Sequence, residues 1–144
     1  MLELEITEGM LVHDIDKTTK ALKKFQDMGI RIAVDDFGTG FSSMNYLKQL
    51  PVNVLKIDRC FIKDINNSPN DASIATGMIH LAHSLKLEVI AEGVDSIEQF
   101  SLLKEKGIDK IQGFLYSKAL PGDEIETLIS HQKSRWEKNF IQSI

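Results

Sequence analysis

The chain has 144 residues, 42% hydrophobic and 26% charged, which is the composition of one soluble globular domain and excludes a disordered or collagen-like chain. With 17 Lys and Arg against 21 Asp and Glu, the net charge of −4 offers no cationic field to hold a DNA or RNA polymer or an anionic membrane. A small anionic ligand bridged by metal ions stays open.

Residues 2–6 alternate apolar and acidic side chains, the period of a strand with one buried face. From Asp16 the apolar residues Ala21, Leu22, Phe25 and Met28 recur at helical spacing, and Gly29 follows as a C-terminal cap. Residues 31–34 read as a second strand, ended by Asp35-Asp36 and the loop Gly38-Thr39-Gly40; a short helix over 43–49 closes at Pro51. Residues 52–57 form a third β-rich run. A polar loop with Asn66, Asn67, Ser68 and Pro69 leads into a helix whose stripe is Ile74, Met78, Leu81, Ala82 and Leu85. A fourth strand spans 87–91. Ser96 with Gln99 then makes a capping box, Ile97, Phe100 and Leu103 turn inward, and Gly107 ends the helix. Residues 108–111 give a fifth strand, and a last helix after Pro121 presents Ile125, Leu128 and Ile129, with Trp136 and Phe140 beyond.

Five βα units in strict alternation call for a parallel sheet with right-handed crossovers, either an open doubly wound sheet or part of a (β/α)₈ barrel. A complete barrel needs about 250 residues, roughly three βα units more than this chain supplies.

The chemistry gathers at the carboxyl ends of the strands, which open onto one crevice in either architecture. In chain order they carry Glu5 and Glu8, Asp35 and Asp36, Lys56 and Asp58, Glu92, and Gln112. Clustered carboxylates repel one another and are tolerated when cations neutralise them. With no His or Cys among them, they suit a hard cation such as Mg²⁺, Mn²⁺ or Ca²⁺ rather than Zn²⁺. Adjacent aspartates can divide a pair of ions during in-line phosphate displacement, and a fixed ammonium at Lys56 can orient water or stabilise the transition state. A barrel enzyme using Lys56 as a base also fits the carboxylates, but not the glycine loop.

These residues fall in motifs that resemble the EAL domain family, the cyclic di-GMP phosphodiesterases of bacterial signalling. The matching segments are Glu5-Ile6-Thr7-Glu8, Asp35-Asp36-Phe37-Gly38-Thr39-Gly40-Phe41-Ser42-Ser43, Leu55-Lys56-Ile57-Asp58, Ala91-Glu92-Gly93-Val94 and Gln112-Gly113-Phe114, in family order. The resemblance implies a TIM-like barrel of which this chain is a parallel (βα)₅ segment, with residues 1–130 a partial domain and 131–144 a C-terminal helical extension. It implies hydrolysis of cyclic di-GMP to the linear dinucleotide with two Mg²⁺ or Mn²⁺ ions. Glu5 and Asp35 would bind one metal, and Asp35, Asp36 and Glu92 the other with its water. Lys56 would hold the nucleophilic water, Glu8 would anchor the loop after Asp36, and Gln112, Gly113 and Phe114 would face the substrate. Asp58 belongs to a family motif without an assigned role.

The sequence also departs from the family. The Glu-Ala-Leu signature and the family's asparagine metal ligand are absent, Ala119 stands in place of a usual proline, and Asp95 stands where glutamate is common. The chain is thus expected to span roughly the C-terminal three-fifths of the domain and to be inactive alone. It would self-associate or pair with the missing N-terminal strands, or act as a degenerate module that binds nucleotide or protein without turnover. A single cysteine, Cys60, no basic-then-apolar opening, and a longest uncharged run of about 14 residues against the roughly 18 of a bilayer span point to a cytoplasmic chain. His80 and His83 read as an exposed helix face and Cys60 as an inert thiol.

Overall fold

The computed structural model describes residues 2–11, 15–40 and 44–127. Five strands form one sheet: β1 (Glu3–Thr7), β2 (Arg31–Phe37), β3 (Val54–Ile57), β4 (Glu88–Glu92) and β5 (Lys110–Gln112). All four pairings are parallel, and the spatial order is the sequence order β1-β2-β3-β4-β5. A doubly wound sheet reverses its strand order at a switch point, whereas this one never does, so the arrangement is that of consecutive barrel units. Between the strands run α1 (Ile15–Asp27), α2 (Met44–Gln49), α3 (Arg59–Ile62), α4 (Pro69–Ser84) and α5 (Ile97–Glu105), with a one-turn 3₁₀ segment at Glu8–Leu11 after β1. Residues 122–127 are helical as well; Leu128, Ile129, Trp136, Phe140 and the expected 131–144 extension lie outside the described residues.

Strand alternation sorts the side chains into two faces. Ile32, Val34, Leu55, Ile57, Val89 and Ala91 point to the helices and form the core with Leu22, Leu47, Ile62, Ala75, Ile79, Ala82 and Leu103. The opposite face carries Glu3, Glu5, Arg31, Ala33, Asp35, Val54, Lys56, Glu88, Ile90, Glu92, Lys110 and Gln112, aligned by the register of the four ladders.

The caps follow the sequence. Ser68 accepts from the Asp71 amide with Pro69 in the first turn of α4, and Ser96 and Gln99 form the reciprocal capping box of α5. The stripes differ in detail. On α4 the buried positions are Ala75, Ile79 and Ala82, while Ile74 is exposed: two alanines let the helix lie close to the sheet, which turns the bulkier residues to the flanks. Ile97, expected to face inward, is 57% exposed because it opens the first turn of α5, ahead of the buried Gln99 and Leu103. On α1 only Leu22 is buried; Phe25 is exposed, and so is Met28 just past the end of the helix.

Element boundaries also shift. Strand β2 continues through Asp35 and Asp36 to Phe37, and a short helix, α3, follows Asp58 where a loop was expected. Strand β5 starts at Lys110 rather than Ile108. The Ile108 amide is used by the Leu103 carbonyl at the end of α5, and Asp109 turns its carboxylate back to the Val89 amide at 2.8 Å. No helix among the described residues is long and apolar enough to cross a membrane.

Candidate functional site

Lys56 sits in the middle of β3 on the face away from the helices, and its side chain is only 3% exposed. Its ammonium is surrounded by three carboxylates: Glu92 at 2.6 Å, Glu5 at 2.8 Å and Asp35 at 3.2 Å. Burial works against that charge, but the hydrogen bonds it donates to Glu5 and Glu92, the charge of Glu92 and the close contact with Asp35 outweigh it, so its pKa is raised. Lys56 is therefore a fixed cation, not a poised base.

A regular strand would send Asp35 and Asp36 to opposite faces. Here the register of β2 against β3 shifts between Val34 and Phe37, and Asp36 adopts a left-handed backbone with φ of 54°. That bulge brings both aspartates to the same place: carboxylate oxygens of Asp35, Asp36 and Glu92 lie within 4.8 Å of one another. Such backbone costs about 1 kcal/mol or more and persists where its surroundings dictate it. Partial burial, then the charges of Asp35 and Asp58, hold the Asp36 carboxyl above its usual range, with Lys56 opposing. Glu92 is raised too, first by burial and then by Asp35 and Glu5, against the pull of Lys56.

The surroundings fix these groups. The buried Glu8 accepts hydrogen bonds from the amides of Gly38 at 3.0 Å and Gly40 at 3.1 Å, tying the loop after β2 to the end of β1. Asp58 caps α3 by accepting from the Cys60 amide at 2.9 Å; its pKa is lowered first by the Cys60 thiol and then, against burial, by the Cys60 and Arg59 amides. The same carboxylate, after burial, pushes the exposed Cys60 thiol up to about 11, away from thiolate reactivity. Gln112 and Phe114 lie beside Glu92 on a cleft of about 290 Å³ that Arg59, Gly93 and Asp95 also line. Gly113 runs so close to Val94 that a Cβ there would come within 2.2 Å of its carbonyl oxygen.

The donor set fits a divalent cation. It is all oxygen, its charge exceeds what Lys56 neutralises, and the solvent-inaccessible Oδ1 of Asp35 has only the ionic contact with Lys56 and no directed hydrogen bond. Of the sequence candidates, Glu5, Asp35, Asp36, Lys56 and Glu92 converge. Glu8 stands behind the glycine loop, Asp58 at the start of α3, and Gln112, Gly113 and Phe114 along the cleft. The sequence reading overlooked Arg59, whose guanidinium pairs with Asp95 at 2.9 Å across Gly93; a glycine followed two residues later by an acid was its only signal. His83 meets Asp109 at 3.0 Å on the outer surface, remote from these strand ends.

The EAL domain model matches residues 1–119. The chain belongs to the EAL domain family. It is 44% identical over 135 residues to the signaling protein YkoW of Bacillus subtilis, covering 94% of this chain and 17% of that protein. It is 43% identical over 128 residues to the cyclic di-GMP phosphodiesterase NbdA of Pseudomonas aeruginosa, covering 89% of this chain and 16% of that protein. Among solved structures, the phosphodiesterase PaMucR in complex with c-di-GMP, from Pseudomonas aeruginosa, superposes with a TM-score of 0.81 at 40% identity, covering 86% of this chain and 50% of that one. The chain thus spans half of that solved chain and about a sixth of the two curated relatives.

Proposed function

We propose that this EAL segment is the carboxylate-bearing part of a cyclic di-GMP phosphodiesterase that opens the cyclic dinucleotide to linear pGpG with two Mg²⁺ or Mn²⁺ ions, in the cytoplasm. The observation that carries this reading is the convergence of Glu5, Asp35, Asp36 and Glu92 around the Lys56 ammonium at one end of a parallel sheet. Similarity to NbdA and to PaMucR supports the choice of substrate.

Asp35, Asp36 and Glu92, with Glu5 beside Asp35, are the residues that would hold the divalent cations. When bound, such ions acidify water and neutralise phosphate charge. Lys56 and Glu92 are the pair that would hold the attacking water, Lys56 donating to its oxygen as a permanent cation. Water adds to phosphorus, the P–O3′ bond breaks, and the 3′ oxygen leaves with a proton. Glu8 keeps the Gly38–Gly40 turn in place beside Asp36, and Gln112, Gly113 and Phe114 form the wall against which the nucleotide is placed.

Turnover is expected to need more of the barrel than this chain supplies. Among the described residues β1 and β5 each pair on one side only, which leaves two open edges for a second copy or for strands carrying the remaining ligands. Purified chain is incubated with cyclic di-GMP and Mg²⁺ or Mn²⁺, with binding followed by equilibrium dialysis and products by chromatography. The expected result is metal-dependent binding, lost in Glu5→Ala and in Asp35→Ala, without linear product from the chain alone. Failure to bind the nucleotide with either metal would overturn the reading. Linear product from the isolated chain, abolished in Lys56→Ala, would show instead that no further strands are needed.

A further inference from the structure

We propose that Arg59 is a positioning residue: through Asp95 it fixes the loop after β5, and so the wall of the nucleotide cleft. This rests on the reading above for its ligand, but the tie itself is independent of it. Asp95 bridges two elements. Its Oδ2 accepts from Arg59 Nη2 at 2.9 Å at the start of α3, and its Oδ1 accepts from the Phe114 amide at 3.1 Å just past β5. Its own amide is held by Gln99 Oε1 at 2.8 Å, and Gln99, buried in α5, donates on to the carbonyls of Ile62 and Lys63 at the end of α3. The β4 and β5 loops are laced together as well, from Val94 N to Gln112 O and from Leu115 N to Val94 O, both at 3.1 Å.

Arg59 reaches Asp95 only because nothing stands in its way at Gly93. That residue has φ of +66°, and a Cβ there would come within 2.3 Å of Arg59 Cγ. The Arg59–Asp95 pair is solvent-exposed, with side chains 57% and 36% accessible, so it adds little to folding stability. What it does is orient: Arg59 follows Asp58, whose neighbour across the mouth is Asp36, so one guanidinium links the metal side of the site to the Glu92 and Gln112 side.

Arg59→Ala, Asp95→Ala and the double variant are compared with the unaltered chain in three measurements: amide hydrogen exchange at Phe114, cyclic di-GMP affinity with Mg²⁺, and thermal midpoint. Arg59→Ala is expected to speed Phe114 exchange about tenfold, although it removes no partner of that amide directly. Each single change is expected to weaken nucleotide binding about tenfold and the double change no further, with the midpoint within about 2 °C throughout. Unchanged Phe114 exchange in Arg59→Ala overturns the proposal. So do losses of affinity that multiply, since they would mean that Arg59 acts on the nucleotide by itself. If the unaltered chain binds no cyclic di-GMP, the functional reading falls, and Phe114 exchange alone decides whether the tie exists.

Discussion

Replacing Lys56 with methionine keeps the length of the side chain and its apolar stem but removes the charge around which three carboxylates are arranged. At an effective dielectric of 20, contacts at 2.6, 2.8 and 3.2 Å are each worth roughly 5 to 6 kcal/mol before the cost of burying the ammonium, which takes most of it back. Removing one partner of a buried ion pair costs about 3–5 kcal/mol. The Glu5 carboxylate is half exposed, so its share is screened and the lower end applies. The expected loss is about 3 kcal/mol, or about 10 °C in Tm for a domain of this size. Urea unfolding followed by circular dichroism measures it. Millimolar Mg²⁺ should recover more stability in Lys56→Met than in the unaltered chain, because a divalent cation can replace the missing ammonium among the same oxygens. A variant within about 0.5 kcal/mol of the parent in metal-free buffer would refute the reasoning, since it would mean that the carboxylates are relieved by solvent and not by Lys56.

Glu8→Ala removes the acceptor of two loop amides and should cost about 2 kcal/mol by urea unfolding, with Glu8→Gln recovering part of it. Asp36→Gly should raise stability by about 0.5 to 1 kcal/mol, since it releases left-handed strain and repulsion from Asp35 and Asp58, while Mg²⁺ binding by calorimetry is lost. Glu88, whose pKa is lowered by Lys110 and Arg31, contributes stability that is present above the ordinary carboxylate value of 4.5 and is lost as pH falls through its lower folded value. The gap between the parent and Glu88→Gln, about 1 kcal/mol at pH 7, should therefore narrow as the pH is lowered past the ordinary carboxylate value; a gap independent of pH would exclude that ion pair as its source.

Most strand ends were legible in the sequence because period-two alternation and the glycine and polar breaks after each run locate them to within a residue or two; β2 runs three residues past its expected end. The parallel (βα)₅ order followed from helix and strand alternation. Facing and bulging were less legible. Nothing in Asp35-Asp36 announces the left-handed turn of the second aspartate, which depends on a shifted pairing with β3, a strand some twenty residues away. The burial of Lys56 was hidden for a similar reason: a lysine in a strand reads as a surface residue until its neighbours prove to be Glu5 and Glu92 on flanking or more distant strands. The tie from Arg59 to Asp95 joins the start of α3 to the loop after β4 in the next βα unit, and the spacing of Gly93 and Asp95 is the only trace of it in the local pattern.

The face opposite the helices divides into two charged layers with different balances. At the amino ends of the strands, Glu88 takes Arg31 at 2.8 Å and Lys110 at 2.5 Å, and Arg31 also reaches Glu3 at 3.5 Å, so two anions meet two cations. At the carboxyl ends, Glu5, Asp35, Asp36 and Glu92 meet the single Lys56. Ala33 and Val54, both fully buried, separate the two layers. The first layer is balanced in charge. The second is not, and an excess of carboxylate held by strand register, by a bulge and by Glu8 is stable only to the extent that a further cation, or a lowered pH, can relieve it. The imbalance is therefore what separates a site from a structural ion-pair layer on the same sheet, and it is set by where each strand places its residues, two positions apart on β1 and four apart on β2 and β4.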